Sequence, residues 1–329
     1  MIDLAVILLS FLASLALTGW YRKALTRQNR LDRPNERSMH AVPVPRGGGG
    51  ALLLVLIPGM IIAGLRLDGL ATHATLVAGT VSLALISRID DARGVSAKLR
   101  LSIHLLAALF GTLALPPHAT LFGDTLPFAL DRAVMIVGWA WFMNLYNFMD
   151  GIDGITGVET VSLATGICLV MGAIGLNDPF LSTLTLLLTG VSLGFLAFNW
   201  HPAKIFLGDV GSVPLGFLTG FGLLSLAAHG HLVAALILPL YYLADSGITI
   251  TKRALRGEKI WQAHRQHFYQ RAALGAGRHD TVVLRIALAN AALIGASLLA
   301  VFHPLTGLAI GAAVVAFLLW NMQKRSRVV

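Results

Sequence analysis

The chain has 329 residues, 56% of them hydrophobic and only 12% charged, with a mean hydropathy of +0.75. These values lie well outside the usual range of soluble globular proteins and indicate a chain that crosses a bilayer many times. A formal net charge of +9 would suggest nucleic acid in a soluble protein, but here the placement of the charge says more than its sum.

Apolar runs of about 17 to 22 residues, each long enough to cross a hydrocarbon core of about 30 Å as a helix, follow one another almost end to end. Eleven spans are expected, at roughly 3–20, 47–66, 69–87, 101–115, 132–148, 157–176, 180–198, 212–228, 232–251, 282–302 and 304–322. They read as helices because a bilayer offers backbone groups no partner and because the runs lack the alternating polarity of barrel strands. The first run is expected to be a membrane anchor rather than a signal peptide. No basic residue precedes it, and Arg22, Lys23 and Arg27 follow it. Residues 1–329 thus form one integral-membrane, all-α domain without a fixed-period repeat. The lone Cys168 falls inside a run, so no disulfide framework is expected.

Placing the N-terminus outside and the C-terminus in the cytoplasm puts the connectors at about 21–46, 88–100, 149–156, 199–211 and 252–281 on one side. That side then holds 23 of the 25 Lys and Arg residues, leaving only Arg66 and Arg132 opposite. Such an asymmetry fixes orientation by the positive-inside rule and lays basic loops against anionic headgroups. The outer loops are plainer, with Asp68, Asp124, Asp131 and Asp178.

The five inner connectors hold the chemistry-bearing residues. In "DDARGVSAKLR" (90–100), Asp90 and Asp91 are like charges that need a cation, which Lys98 or Arg100 could supply; a solvated turn with local ion pairs is the plainer reading of that pair alone. In "NFMDGIDG" (147–154), Asn147, Asp150 and Asp153 are three residues apart and form one polar ridge on a helix. Glycines beside them allow close approach. Capping would explain one such residue per helix end, not three in register. "KIFLGDVGS" (204–212) adds Asp209, whose oxygen, with Asn147 or another acid, suits Mg²⁺; no zinc-like ligand set is apparent. Phe206 fits interfacial packing or stacking on a flat base. In "AHRQHFYQR", His264, Arg265, His267 and Arg271 offer phosphate-binding groups, although a basic loop alone is more often a lipid contact. Metal ligands, cations and a stacking ring at a membrane surface are the parts that phosphoryl transfer needs.

At this point the chain resembles the polyprenyl-phosphate N-acetylhexosamine-1-phosphate transferases, over about residues 31–275, with "DDARGVSAK", "NFMDGIDG", "FLGDVGS" and "HRQH" in that family's order. Within it, the likeness is nearest to the enzymes that initiate O-antigen synthesis. The resemblance implies that Asp90 and Asp91 serve the lipid phosphate and catalysis, with Lys98 on the pyrophosphate. It implies Mg²⁺, with Mn²⁺ as an alternative, on Asp209 and Asn147. Asp153 and Phe206 match positions that hold uracil, while His264, Arg265 and His267 match the loop that meets the sugar and diphosphate. His40 and Arg46, in "DRPNERSMHAVPVPRGG", would border the nucleotide. After His267 stand Phe268, Tyr269 and Gln270 where further histidines are usual, which bears on the sugar.

The implied reaction joins a UDP-N-acetylhexosamine to undecaprenyl phosphate at the cytoplasmic face of a bacterial plasma membrane, giving undecaprenyl-diphospho-sugar and UMP. Its partners are those two substrates and membrane lipid, with a homodimer conceivable and no nucleic acid. Asp90 is the candidate for orienting or deprotonating the lipid phosphate, and a covalent aspartyl phosphate route stays open. A transporter of an anionic solute is the rival class, but it would place its charges near mid-bilayer, often within inverted repeats. A CDP-alcohol phosphotransferase would need paired D-x-x-D-G and G-x-x-x-D-x-x-x-D elements, which are absent.

Overall fold

The computed structural model describes residues 2–34, 38–67, 70–259 and 264–325. Asp68 and parts of the first and last of the expected inner connectors, residues 35–37 and 260–263, lie outside that set. In chain order the elements are α1 (Ile2–Arg27), β1 (Leu31–Asp32), β2 (Val44–Pro45), α2 (Gly49–Arg66), α3 (Leu70–Arg93), α4 (Ala97–Gly111), α5 (Phe128–Phe148), α6 (Ile155–Ile174), α7 (Pro179–Asn199), α8 (Asp209–Leu226), α9 (Leu232–Ile237), α10 (Leu240–Leu255), α11 (Phe268–Ala276), α12 (His279–Phe302) and α13 (Pro304–Arg325). About 79% of the residues are helical, and among the described residues nine helices are long and apolar enough to cross a membrane. The protein is an all-α, multi-pass membrane protein.

Two expected features are redrawn. The run at 232–251 is two short helices, six-residue α9 and 16-residue α10, separated at Leu238 and Pro239. Proline offers no N–H to the helix ladder, and 16 residues rise only about 24 Å. Hydropathy averaged over the run also hid the buried polar side chains Asp245, Ser246 and Thr249. The second feature is α1, which continues to Arg27, past the expected end near residue 20. Arg22 lies over the Phe198 ring at 5.8 Å, so long basic side chains cover apolar surface while keeping their charge near the interface.

Helix α8 is the centre of the bundle, with 94% of its most apolar window buried, and it packs against α2, α3, α5 and α6. Trp139 of α5 stacks on Phe217 of α8 at 4.8 Å and donates its indole N–H to the Phe217 carbonyl at 3.0 Å. In lipid the hydrophobic effect gives little drive between helices, so small residues and polar contacts hold them. Thus α1 lies along α7, where a Cβ at Gly194 would meet the Phe11 carbonyl at 2.5 Å and Ser14 donates to the Val191 carbonyl at 2.7 Å.

One such approach places the site. Gly49 at the start of α2 packs on Gly211 in the first turn of α8, so closely that a Cβ on Gly211 would stand 2.7 Å from the Gly49 Cα. The chain before each helix is thereby held beside the other. Arg46 bridges to Phe206 in parallel, with the Phe206 N–H on the Pro45 carbonyl at 2.8 Å. The starts of α2, α4, α6, α8 and α12 and the ends of α3, α5 and α7 come together at this end of the bundle.

Candidate active site

A cleft of about 420 Å³ opens at that end, and its lining includes His40, Arg46, Asn147, Asp150, Asp153, Phe206 and Asp209. These residues come from three of the connectors singled out in the sequence. Gln270 and His279 bring in a fourth, and Asp91 reaches the cleft from a fifth through Arg46.

At one end of the cleft Arg46 stands between two acids. Its Nη2 is 2.9 Å from Asp209 Oδ1 and 3.6 Å from Asp91 Oδ1. Burial pulls the Arg46 guanidinium down, but Asp209, Asp91 and Asp32 outweigh it and leave its pKa above the ordinary value. Asp209 is the first residue of α8, where the helix dipole favours a carboxylate. Asn147, at the end of α5, donates to Asp209 Oδ2 at 3.4 Å and accepts from Ser212 Oγ at 2.6 Å. Asp150 accepts from Thr156 at 2.6 Å. Burial pushes its carboxyl up to about 6, the Thr156 bond opposing and Asp209 adding to the shift.

Mg²⁺, expected from the resemblance, fits this end by its donor chemistry. The carboxylates of Asp209, Asp91 and Asp150 and the amide of Asn147 offer only oxygen ligands, and Arg46 already sits as a cation between two of the acids.

At the other end Asp153 is enclosed by donors. Its Oδ2 lies 2.6 Å from His201 Nδ1, 3.1 Å from His279 Nδ1 and 3.1 Å from the Ala203 N–H. Burial would raise this carboxyl, but the two histidines and Ala203 more than offset it and hold it below the ordinary value. The turn that presents Asp153 ends at Gly154, whose φ of +80° suits glycine, and the Gly154 N–H is caught by Asn199 Oδ1 at 3.0 Å. Phe206 faces the same cleft, with the His40 ring tilted against it at 4.8 Å.

The remaining sequence candidates fall outside the cleft. Asp90 spends its oxygens on the Val95 N–H at 2.6 Å and on Arg100 at 2.8 Å, pinning the turn between α3 and α4. Asp90 is thus not part of the cleft lining, and Asp91 is the acid of the pair that meets Arg46. Lys98 is exposed on the first turn of α4, and Arg265 is exposed as well. His267 is buried and bonded to Asp245 at 3.1 Å, and His264 stacks on it at 4.9 Å. Burial, aided by His267 and Arg253, pulls the His264 imidazole down to about 4.

Three residues were missed in the sequence. Asp245 of α10 caps α11 from outside, accepting from the Phe268 and Tyr269 N–H groups at 3.0 and 3.1 Å and from His267. It was masked by an apolar run. His201 and His279 join Asp153 in a trio whose ligand atoms all lie within 4.8 Å of one another, although residues 153, 201 and 279 show no ligand-like spacing. A histidine just before "PAK" in an inner connector was the available signal for one of them.

The helical bundle thus carries a polar, charge-lined cleft at its helix ends. A family model described as glycosyl transferase family 4 matches residues 73–227. A probable undecaprenyl-phosphate N-acetylglucosaminyl 1-phosphate transferase of Bacillus subtilis is 27% identical, over 85% of this chain and 80% of its own length. A decaprenyl-phosphate N-acetylglucosaminephosphotransferase of Mycobacterium tuberculosis is 28% identical over 82% and 76%, respectively. A phospho-N-acetylmuramoyl-pentapeptide-transferase of Synechococcus elongatus is 31% identical over 57% and 54%. The chain resembles glycosyl transferase family 4 and, within it, the polyprenyl-phosphate N-acetylhexosamine-1-phosphate transferases.

Proposed function

We propose that this protein moves N-acetylhexosamine 1-phosphate from a UDP-sugar to undecaprenyl phosphate at the cytoplasmic face of a bacterial plasma membrane, releasing UMP. The proposed place is the first membrane step of O-antigen or a related envelope polysaccharide. One observation supports this above the rest: five separate connectors bring acids, an arginine and a flat ring into one cleft at the helix ends. The relatives whose names specify polyprenyl-phosphate and N-acetylglucosamine phosphate transfer support the same chemistry.

In this reading an oxygen of the lipid phosphate forms a bond to the β-phosphorus of the donor. The bond from that phosphorus to the bridging oxygen breaks, and the electron pair leaves on the phosphate of UMP. Asp91 orients the incoming lipid phosphate, because it is the acid of its pair that reaches the cleft, beside Arg46. Arg46 exchanges its carboxylate partners for diphosphate oxygens, which its planar donors match in pairs. Mg²⁺, held by Asp209 and Asn147, would neutralise the charge that builds on the diphosphate. Asp90 holds the turn that aims Asp91. The cleft lies at helix ends rather than at mid-bilayer, which does not favour the transport reading.

The test is purified protein with undecaprenyl phosphate, Mg²⁺ and a panel of UDP-N-acetylglucosamine, UDP-N-acetylgalactosamine and their 6-deoxy relatives, scored for UMP and lipid-linked product. Release of UMP that depends on both lipid and sugar is the expected result. Folded protein that yields none with any donor overturns the proposal.

A further inference from the structure

We infer that the side-chain amide of Gln270 binds the ribose hydroxyls of the donor nucleotide and thereby selects ribonucleotides over their deoxy forms. This rests on the nucleotide-sugar reading above and deepens it by giving a ligand to a glutamine that stands where the resemblance expects histidine.

Gln270 is the third residue of α11, and its Oε1 accepts the His267 N–H at 3.3 Å. Reaching back to the start of the helix is what a glutamine at that position ordinarily does, and capping would account for the oxygen. It does not account for the nitrogen. A backbone N–H can only donate, so the same contact settles which way round the amide stands, with Nε2 on the side away from His267. Nε2 has no partner among the described residues and is not among the fully enclosed unpaired atoms. Gln270 is only 7% exposed and lines the cleft, so the amide presents its N–H donors there.

The residue is held from three sides. Asp245 accepts the Phe268 and Tyr269 N–H groups at 3.0 and 3.1 Å, which fixes the start of α11. The Tyr269 hydroxyl donates to the Phe148 carbonyl at 3.0 Å and pins α11 to the end of α5. Gly151 supplies the room, because a Cβ there would meet the Tyr269 hydroxyl and stand 2.9 Å from Gln270 Nε2. A neutral donor so firmly aimed suits a neutral acceptor at a set place.

The packing on Gly151 says which part of the donor that acceptor belongs to. Gly151 lies between Asp150, at the end of the cleft with Arg46 and Asp209, and Asp153, at the other end. With the diphosphate at the first end and the base at the second, the piece between them is the ribose. The transferred sugar lies beyond the second phosphate, past the acids. Hydroxyl oxygens of ribose accept from an amide N–H. A site built to hydrogen-bond a hydroxyl rejects the analogue that lacks it, since its own donors are then left unpaired.

The experiment uses the full-length protein in detergent with Mg²⁺ and measures binding of UDP, 2′,3′-dideoxy-UDP and UDP-N-acetylglucosamine by calorimetry, alongside donor kinetics and melting temperature. Wild type should prefer UDP over the dideoxy form by about tenfold. Gln270→Met, which keeps the length and removes the donors, should weaken UDP by about tenfold and leave the dideoxy form unchanged, with the loss in donor KM rather than kcat. Gly151→Ala, whose Cβ displaces Tyr269 and Gln270, should lose the preference as well. Should Gln270→Met fail to fold, Gln270→Asn takes its place, since it keeps an amide on α11 but withdraws it by one methylene and should narrow the ratio. Wild type that binds both forms equally overturns the inference without any variant. Equal losses for both forms in Gln270→Met would put the amide on a phosphate, and a loss confined to the UDP-sugar would put it on the transferred sugar; either overturns the inference. A lower melting temperature with an unchanged ratio leaves capping as the whole role and overturns it too. Wild type that binds no UDP and releases no UMP defeats the parent reading instead.

Discussion

The two ends of the cleft treat their carboxylates in opposite ways. Asp153 is buried and saturated on one oxygen by two histidines and a backbone N–H, an arrangement with little reason to move. Asp91 and Asp209 are partly exposed and share one long, flexible arginine, a pairing that an incoming cation and diphosphate can readily exchange. A fixed acid suits recognition of a neutral base, whose partners must be pre-aimed. Exchangeable acids suit the reacting phosphates, where charge changes during the step. The comparison says that damage at the Arg46 end should fall on kcat, and damage at the Asp153 end on donor KM.

The largest effect should come from Asp209→Asn, which removes charge from the acid closest to Arg46 while keeping the shape. Turnover measured as UMP release should fall by about 10³-fold with the melting temperature nearly unchanged. A donor KM effect of that size with kcat intact would break the division between the two ends. Asp91→Asn should follow at about 10²-fold, again in kcat. Asp90→Asn should also cut turnover severely, but by loosening the turn between α3 and α4. Arg100→Gln, which removes the partner of Asp90 at 2.8 Å, should then reproduce about a tenfold loss. Full activity of Arg100→Gln would return Asp90 to direct contact with substrate.

The smallest effect is on stability and depends on pH. The Asp150 carboxyl is pushed up to about 6 by burial, from an ordinary value of 3.8. A raised acid contributes its stability as the neutral form, present in full below about pH 4 and lost as pH rises through about 6. Asp150→Asn keeps an acceptor for Thr156 and cannot ionise. Thermal melts should therefore show the variant a few degrees above wild type at pH 7.5 and level with it near pH 4. A variant less stable than wild type at pH 7.5 would mean that the charge of Asp150 is held by a partner.

The chain's spacing revealed the residues of one end of the cleft better than those of the other. Asn147, Asp150 and Asp153 stood in register, and Asp209 lay between glycines, so both stretches could be marked as polar insertions in an apolar chain. Neither His201 nor His279 formed any pattern with Asp153, because their meeting depends on where α7 ends and α12 begins. Asp90 and Asp91 were indistinguishable as adjacent letters. Helix geometry separates them by about 100° around the axis, sending one to Arg100 and the other to Arg46. The expected span at 232–251 failed for a related reason, since summed hydropathy registers neither a proline break nor a buried aspartate that caps a neighbouring helix.

The sequence by itself determined that the chain is a helical membrane protein, and its motifs marked most of the acids of the cleft. Both follow from local properties, the apolar length needed to cross lipid and the rarity of clustered carboxylates in such a chain. Only the tertiary structure decided which carboxylate faces the cleft, which is tied to the fold, and which histidines join them. Those outcomes are set by close contacts between distant segments, above all Gly49 on Gly211, and no run of neighbouring residues encodes them.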